Sequence, residues 1–391
     1  MQKLELQLNG LTPRQFLDEY WQKKPCLIRQ GFADLEFPLS PDELAGLALE
    51  PDVPARILRE VGGELGWTVQ HGPFEESDFS KLPDSHWTLL ITDLEKILPE
   101  MQALIEPFRF IPDWRIDDLM ISYATDQGSV GPHLDEYDVF LVQVQGQREW
   151  QINTRSYAES DYLPNPDLKL LSRFDAEKTW LLEPGDILYL PPNIAHHGIA
   201  RGECMTCSVG FRAPAYDDML GSLTEILVRN PRAHRRYSDP HLKQTEHPGL
   251  ILNSDLMRIR KELHALLETD NESFARWFGE YTTEPGLDWI EPPGEVIDNN
   301  DLMIWLQTGN GLTRPTATRL AYIEHQHKLL FFADGSSWTL KVLHKDFVDM
   351  LCRQYRYEAQ PLLDAIQADQ DIATLLLDMI NQGLIELDLH Q

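Results

Sequence analysis

Between residues 67 and 211 the chain is a succession of short strand-like segments: Trp67–Val69, Trp87–Thr92, Leu119–Tyr123, Val139–Val144, Glu149–Ile152, Trp180–Leu182, Ile187–Leu190 and Met205–Phe211. Short runs of β-branched and aromatic residues separated by turn signals predict an all-β barrel or sandwich. One connection is specified closely. Glu183-Pro184-Gly185-Asp186 suits a type II turn, with proline presetting φ at the second position and glycine supplying φ > 0 at the third. Helical signals stand ahead of the strands. Leu11, Phe16, Leu17, Tyr20 and Trp21 recur at helical spacing until Pro25, with a short strand Cys26–Arg29 after it, and Ser40-Pro41-Asp42-Glu43 offers a cap, a proline and two acids.

After Arg212-Ala213-Pro214 the pattern turns helical. Met219, Leu220, Leu223, Ile226 and Leu227 trace one face; Leu256, Ile259, Leu263, Leu266 and Leu267 trace a second; Phe274, Trp277 and Phe278 suggest a third. Two or three short helices cannot bury that much apolar face alone, so they must dock on the β domain or on another copy of the chain. Thr282–Glu295, with Pro285, Pro292 and Pro293, reads as a linker. Residues 298–391 alternate helices (around Asp301–Gln307, Phe347–Cys352, Pro361–Ile366 and Ile372–Ile380) with strands (Thr316–Glu324, Lys328–Phe332 and Leu384–Leu389) in an order that resembles a winged helix. Thirteen acids against seven Lys/Arg in that stretch is the wrong sign for a duplex-binding face, so a packing or assembly module without direct nucleic-acid binding is expected. The expected domains are 1–213, 214–284 and 298–391.

Within the strand-like region, Gly131-Pro132-His133-Leu134-Asp135-Glu136-Tyr137-Asp138 sets a histidine and a carboxylate two residues apart. On a strand both would leave the same face and could grip one metal ion. Such a pair carries little information by itself. With 13 His and 63 acids in 391 residues roughly two His-x-acid matches are expected by chance, and there are two, the other being His344 and Asp346. Context separates them, because His133 lies between the runs Asp118–Tyr123 and Asp138–Val144 whereas His344 opens a helical pattern. Downstream of the first alone comes a third candidate ligand, His196, after Ile187-Leu188-Tyr189-Leu190-Pro191-Pro192. Two histidines and one carboxylate with open positions form the facial triad of non-haem Fe(II) oxygenases, although the same ligands hold Mn(II), Co(II) or Zn(II).

Composition narrows the remaining classes. A content of 42% hydrophobic residues supports globular cores, and no apolar run approaches membrane-spanning length. The start of the chain has no basic and apolar leader pattern, so a cytoplasmic protein is expected. Cys26, Cys204, Cys207 and Cys352 are too scattered for a disulfide framework, and Cys204 and Cys207, three apart on a strand, would face opposite sides. A net charge of −29 disfavours a polyphosphate partner and suits a basic one.

Gly131-Pro132-His133-x-Asp135-x-Tyr137-Asp138-Val139-Phe140, the run Glu183–Pro192 and His196 together resemble the double-stranded β-helix core of the JmjC-type 2-oxoglutarate oxygenases. Tyr20-Trp21-x-x-Lys24-Pro25 is also similar to their opening. With helices and a winged-helix-like module after the core, the whole chain resembles the ribosomal oxygenases, and Trp114–Ser122 and Ser208–Pro214 point to their bacterial branch. The resemblance implies an α+β fold: a jelly-roll or cupin-like JmjC core with N-terminal helices, a helical dimerisation segment giving a homodimer, and a C-terminal winged-helix-like domain. It further implies Fe(II), 2-oxoglutarate and O2 as cofactors, and hydroxylation of an arginine β-carbon in large-subunit ribosomal protein L-sixteen, a basic partner. His133, Asp135 and His196 match the metal ligands, with His197 the neighbouring alternative, since the usual glycine or aromatic residue before the distal ligand is Ala195 here. Arg148 matches the anchor for the far carboxylate of 2-oxoglutarate, which guanidinium–carboxylate pairing favours, and Ser122 matches its supporting hydroxyl.

Strand parity extends the site. If Ser122 faces the cofactor, Met120 and Asp118 share its face, and Tyr137 follows His133 and Asp135. An aromatic ring and a carboxylate beside the metal are what a guanidinium needs, and Ser208 is a further polar contact implied by the resemblance. The competing expectations are a histidyl hydroxylase or N-methyl-lysine demethylase with the same cofactors, or a non-catalytic cupin-like protein holding its metal structurally.

Overall fold

The computed structural model describes residues 4–389 apart from 34, 63–65, 165–167, 230, 243, 245, 269 and 286–295. The chain divides into two compact units, Met1–Ala213 and Pro214–Gln391. In the first unit the helices are α1 (Pro13–Glu19), α2 (Pro41–Leu47), α3 (Glu76–Phe79), α4 (Leu94–Ile97) and α5 (Gln102–Ile105). The strands are β1 (Cys26–Ile28), β2 (Ala55–Gly62), β3 (Gly66–His71), β4 (Trp87–Ile91), β5 (Ile116–Ala124), β6 (Asp138–Asn153), β7 (Lys178–Leu182), β8 (Ile187–Leu190) and β9 (Ala195–Phe211). They form an antiparallel sheet in the order β1-β8-β6-β9-β5-β4-β2-β3, with β7 added on β6, folded as a cupin-like β-sandwich. Capping boxes at Thr12/Gln15 and Ser40/Glu43, each followed by proline, start α1 and α2 as the local chemistry requires.

The sandwich is organised by β6 and β9. They pair from Asp138↔Phe211 to Asn153↔Ala195, with irregularities between Gln143 and Gln147. At that point Gly146 takes φ +63°, and a Cβ there would lie 2.2 Å from the Glu203 carbonyl oxygen, so only glycine permits the crossing. Before the bend β6 also pairs with β8, and after it with β7. The runs 139–144 and 149–152 that read as two strands are therefore one, and the run from Met205 begins ten residues earlier, at Ala195. β2 escaped the sequence reading because its inward residues Ala55 and Ile57 are followed by the exposed pair Val61 and Gly62, which blurs the alternation. Cys204 and Cys207 are both buried and unpaired, and they enter separate apolar clusters as opposite faces demand.

The core of this unit is aromatic. The Phe140 ring centroid lies 4.7 Å from that of Phe108 and 4.9 Å from that of Tyr189, and Phe16 meets Tyr189 at 5.0 Å. Tyr189 has one polar task. Its hydroxyl donates to Asp138 Oδ1 at 2.6 Å and accepts the Gln22 backbone N–H at 2.8 Å, while the Gln22 side chain donates to Asp138 Oδ2 at 2.9 Å. Burial raises the Asp138 carboxyl above its usual range, against the lowering by these hydrogen bonds and by Arg115.

The second unit carries α6 (Tyr216–Arg229), α7 (Asn253–Leu267), α8 (Asn271–Thr283), α9 (Asn299–Gln307), α10 (Lys345–Arg353), α11 (Ala359–Ala368) and α12 (Asp371–Asn381). Its strands are β10 (Leu312–Thr313), β11 (Leu320–His325), β12 (Lys328–Ala333), β13 (Ser336–Lys341), β14 (Arg356–Tyr357) and β15 (Glu386–Leu387), in two three-stranded sheets. The hairpin strand β13 was not anticipated, and the closing strand is shorter than expected. α8 packs on β11, β12 and β13, where a Cβ on Gly279 would sit 2.3 Å from the Phe332 ring, and Arg276 donates to Ser337 Oγ at 2.9 Å. Of the expected linker, residues 286–295 lie outside the described residues. No described helix is long and apolar enough to cross a membrane.

Removing the Tyr189 hydroxyl strips a donor from a buried carboxylate while keeping the ring. Tyr189→Phe is expected to lower the unfolding free energy by roughly 2–3 kcal/mol, read from urea denaturation. Gln22→Ala, removing a more exposed partner, should have the smaller effect.

Candidate active site

A cavity in the first unit, ≈ 380 Å³, is lined from one side by Asp118, Met120 and Ser122 of β5 and by Ser208 and Gly210 of β9. β6 contributes Val139, Leu141, Arg148 and Trp150. The alternation on β5 thus aims the expected residues inward, and the register pairs Met120 with Ser208 and Ser122 with Thr206 across the same wall.

His133, Asp135 and His196 meet in this cavity, their ligand atoms all within 4.8 Å of one another. His196 Nε2 lies 3.5 Å from Asp135 Oδ2, and His133 Nε2 lies 3.8 Å from Asp135 Oδ1. The route to that geometry differs from the expected one. His133 and Asp135 belong to no regular strand; they sit in an extended loop ahead of β6 that is stapled to the start of β9. The staple consists of backbone hydrogen bonds, His133 N–H to the His196 carbonyl at 3.0 Å, His196 N–H to the His133 carbonyl at 2.9 Å, and Asn193 N–H to the Asp135 carbonyl at 2.7 Å. Asn193 can aim its N–H there because it adopts φ +64° after Pro191-Pro192, a conformation asparagine tolerates.

Each histidine is oriented by its other ring nitrogen. His133 Nδ1 is 2.9 Å from the Gly131 carbonyl and His196 Nδ1 is 2.9 Å from the Ile194 carbonyl, which places the proton on Nδ1 and leaves Nε2 as a free lone pair toward the centre. Burial, then the neighbouring His133, lowers the His196 pKa to about 4, so its imidazole stays neutral as a metal ligand must. His197 is turned away from the cluster. Its ring meets Phe174 edge-on at 6.0 Å, and its register partner is Gln151.

Arg148 is buried at 3% exposure. Its Nη1 donates to Ser122 Oγ at 3.1 Å, and Ser122 donates in turn to the Thr206 carbonyl at 3.1 Å. Its Nε and Nη2 have no hydrogen-bond partner among the described residues. A buried guanidinium with two unused donors, opening on a cavity that also holds a two-His, one-carboxylate cluster, fits a bidentate carboxylate from a metal-bound oxo acid. The donor set therefore fits a divalent metal with open positions, and Arg148 fits its cosubstrate.

At the mouth, Tyr137 is 40% exposed. Crowding of its phenol by protein, and then the charges of Asp135 and Asp118, raises its pKa, which keeps the hydroxyl protonated. Asp118 is half-buried beside it. Sequence reasoning missed Arg56 on β2, His71 on β3, Thr92 and the 168–170 loop, all of which line the cavity. Trp150 was legible by parity with Arg148, since both lie on the inward face of β6; its ring stands 5.7 Å from that of His196.

Comparison with known proteins agrees with this geometry. Residues 103–219 match the JmjC domain, residues 265–386 match the ROXA-like winged helix, and residues 174–276 match the AraC-like ligand binding domain. The winged-helix match begins ahead of α8, consistent with the packing of that helix on β11–β13. The chain is 35% identical over 97% of its length to the ribosomal protein uL16 3-hydroxylase of Escherichia coli, covering 98% of that protein. It is 39% identical over 55% of its length to a probable ribosomal oxygenase of Haemophilus influenzae, covering 53% of that one. Among solved structures, E. coli YcfD superposes with a TM-score of 0.86 at 34% identity, covering 98% of this chain and all of that one. A YcfD complex with cobalt and 2-oxoglutarate superposes at 0.84 and 33% identity, covering 98% of this chain and 99% of that one.

Arg148→Leu is expected to weaken 2-oxoglutarate binding by about 100-fold, through loss of a buried, charge-assisted pair. Calorimetry on protein loaded with Mn(II) or Co(II) reads this directly, and metal affinity itself should stay within a few-fold of wild type because the Arg148 guanidinium is hydrogen-bonded to Ser122 and to none of the three clustered side chains.

Proposed function

The chain belongs to the ribosomal oxygenases, 2-oxoglutarate-dependent dioxygenases of the JmjC family, and from that premise we propose that it hydroxylates the β-carbon of an arginine in a basic ribosomal protein of the uL16 type. When bound, Fe(II) with 2-oxoglutarate and O2 supplies the oxidising chemistry, by which the oxo acid becomes succinate and CO2 and one C–H bond becomes C–OH. The protein's part is to hold and to aim. His133, Asp135 and His196 would hold the metal; Arg148, backed by Ser122, would hold the far carboxylate of the oxo acid.

The observation that carries the substrate assignment is the pairing of Asp118 with Tyr137 at the cavity wall next to the triad. A planar guanidinium can stack on the phenol and make a forked pair with the carboxylate, whereas an ammonium can do only the second. Met120 and Ser208, neighbours in register, would flank the aliphatic stem. Arg56 and Lys169 also line the cavity, so attraction for a cation must come from within it, from Asp118. The chain-wide charge of −29 favours a basic partner on approach. Similarity to the uL16 3-hydroxylase over nearly the whole chain supports this reading over lysine demethylation or histidyl hydroxylation, and a cytoplasmic location goes with it.

The helical segment supports a second element of the same proposal, pairing of two copies through residues 214–284. On α7 no residue is buried, and Leu256, Met257, Ile259, Leu263 and Leu267 are all exposed along it. α6 leaves Leu220, Ile226 and Val228 exposed as well. A stripe of that size is covered in a stable soluble assembly.

Asp118→Asn is expected to raise KM for an arginine peptide by roughly 10–100-fold while metal and 2-oxoglutarate binding persist. Mass spectrometry should show one added oxygen on the arginine peptide and little on its lysine counterpart; equal hydroxylation of the two would remove the substrate assignment. Light scattering should give a dimer for the wild-type chain and a monomer for Leu256→Glu/Leu263→Glu, and a wild-type monomer at micromolar concentration would remove the pairing.

A further inference from the structure

Asp118 is held in an unusual piece of strand. In the pairing of β5 with β9, Ile116 opposes Phe211 and Leu119 opposes Val209, so three steps on β5 match two on β9. Asp117 and Asp118 together face Gly210, which is a β-bulge, a device that re-aims a side chain beside a site. Gly210 is shaped to it, because a Cβ there would lie 2.7 Å from Asp118 Oδ1. On the other edge β5 has lost its neighbour. β4 pairs with β5 only as far as Ile91↔Ile121, after which the chain leaves through Thr92 into α4.

The vacated pairing position is taken by a side chain. Glu95 of α4, 4% exposed, accepts the Leu119 backbone N–H on Oε2 at 2.9 Å. A buried carboxylate is an expensive substitute for a backbone carbonyl, and burial, partly offset by Lys96 and the Leu119 N–H, pushes the Glu95 pKa up to about 7. An ordinary capping need would be met by any neutral acceptor. Asp118, one residue from the amide that Glu95 holds, acts on Glu95 in turn as a like charge.

We infer that Glu95 is a positioning residue for substrate recognition: by holding the Leu119 N–H it fixes the β-bulge that seats the Asp118 carboxylate over Gly210, at the angle the substrate guanidinium requires. The inference rests on the Asp118 reading above. Glu95 does not line the cavity and acts through the backbone of β5.

The test compares Glu95→Met, which keeps the volume and removes the acceptor, with Glu95→Gln, which keeps the acceptor and removes the charge, on the full chain with Asp118→Asn alongside. Glu95→Met is expected to raise KM for the arginine peptide by about tenfold or more, with kcat and the affinity for Mn(II) and 2-oxoglutarate changing less than about threefold. Glu95→Gln is expected to restore KM to within about threefold of wild type. A Glu95→Met protein that binds peptide normally, or a Glu95→Gln protein as impaired as Glu95→Met, overturns the inference. Should Glu95→Met fail to fold, Glu95→Gln decides alone, since a tenfold rise in its KM contradicts the acceptor role. Normal KM in Asp118→Asn would instead overturn the underlying reading, whatever the Glu95 variants do.

Discussion

The antiparallel pairing of β6 with β9 is the constraint on which the site depends. It runs the length of both strands and bends once, at Gly146, so that the same two strands serve both faces of the sandwich. Arg148 lies just past the bend on β6, and His196 lies near the start of β9, opposite Ile152. The spacing between Arg148 and His196 is therefore set by ladder register and not by side-chain flexibility. The remaining two members of the triad arrive on a loop, and two backbone hydrogen bonds to the start of β9, with a third from Asn193 just ahead of it, give that loop the precision of a strand.

Much of this is legible in the sequence. Glu183–Asp186 announces its turn, Ile187–Leu190 is a strand to the residue, and alternation on β5 picked Asp118, Met120 and Ser122 as one face. His133 and Asp135 do come together as strand parity predicts, but on a stapled loop where a regular strand was expected. No local signal announces such a staple, because it forms between segments sixty residues apart. β2 was lost for a related reason: its length is set by pairing with β3 and β4, and both of its faces are used, Ala55 and Ile57 in the apolar core and Arg56 and Leu58 along the cavity. With β2 went Arg56, and with the loop at 168–170 went Lys169, so of these three cations lining the cavity only Arg148 was legible in the sequence.

The second unit shows a different limit. Helical stripes on α6, α7 and α8 looked alike in sequence, yet α8 closes over the β11–β13 sheet through the gap left by Gly279, while no residue of α7 is fully buried. Amphipathic spacing states that a face must be covered; it does not state by what. The glycine is the difference, and its meaning appears only once Phe332 is seen to fill the space.

Adjacent histidines on β9 point to opposite faces, and that has a consequence for how the barrel must be assembled. A slip of β9 by one residue would carry His197 into the place of His196, so an imidazole would still meet the loop of His133 and Asp135. The same slip would bring Val209 to the place of Ser208 and Phe211 to the place of Gly210, filling the hollow in which Asp118 rests. Correct threading of the barrel is thus proofread at the far end of the strand, by the one residue there that has no side chain.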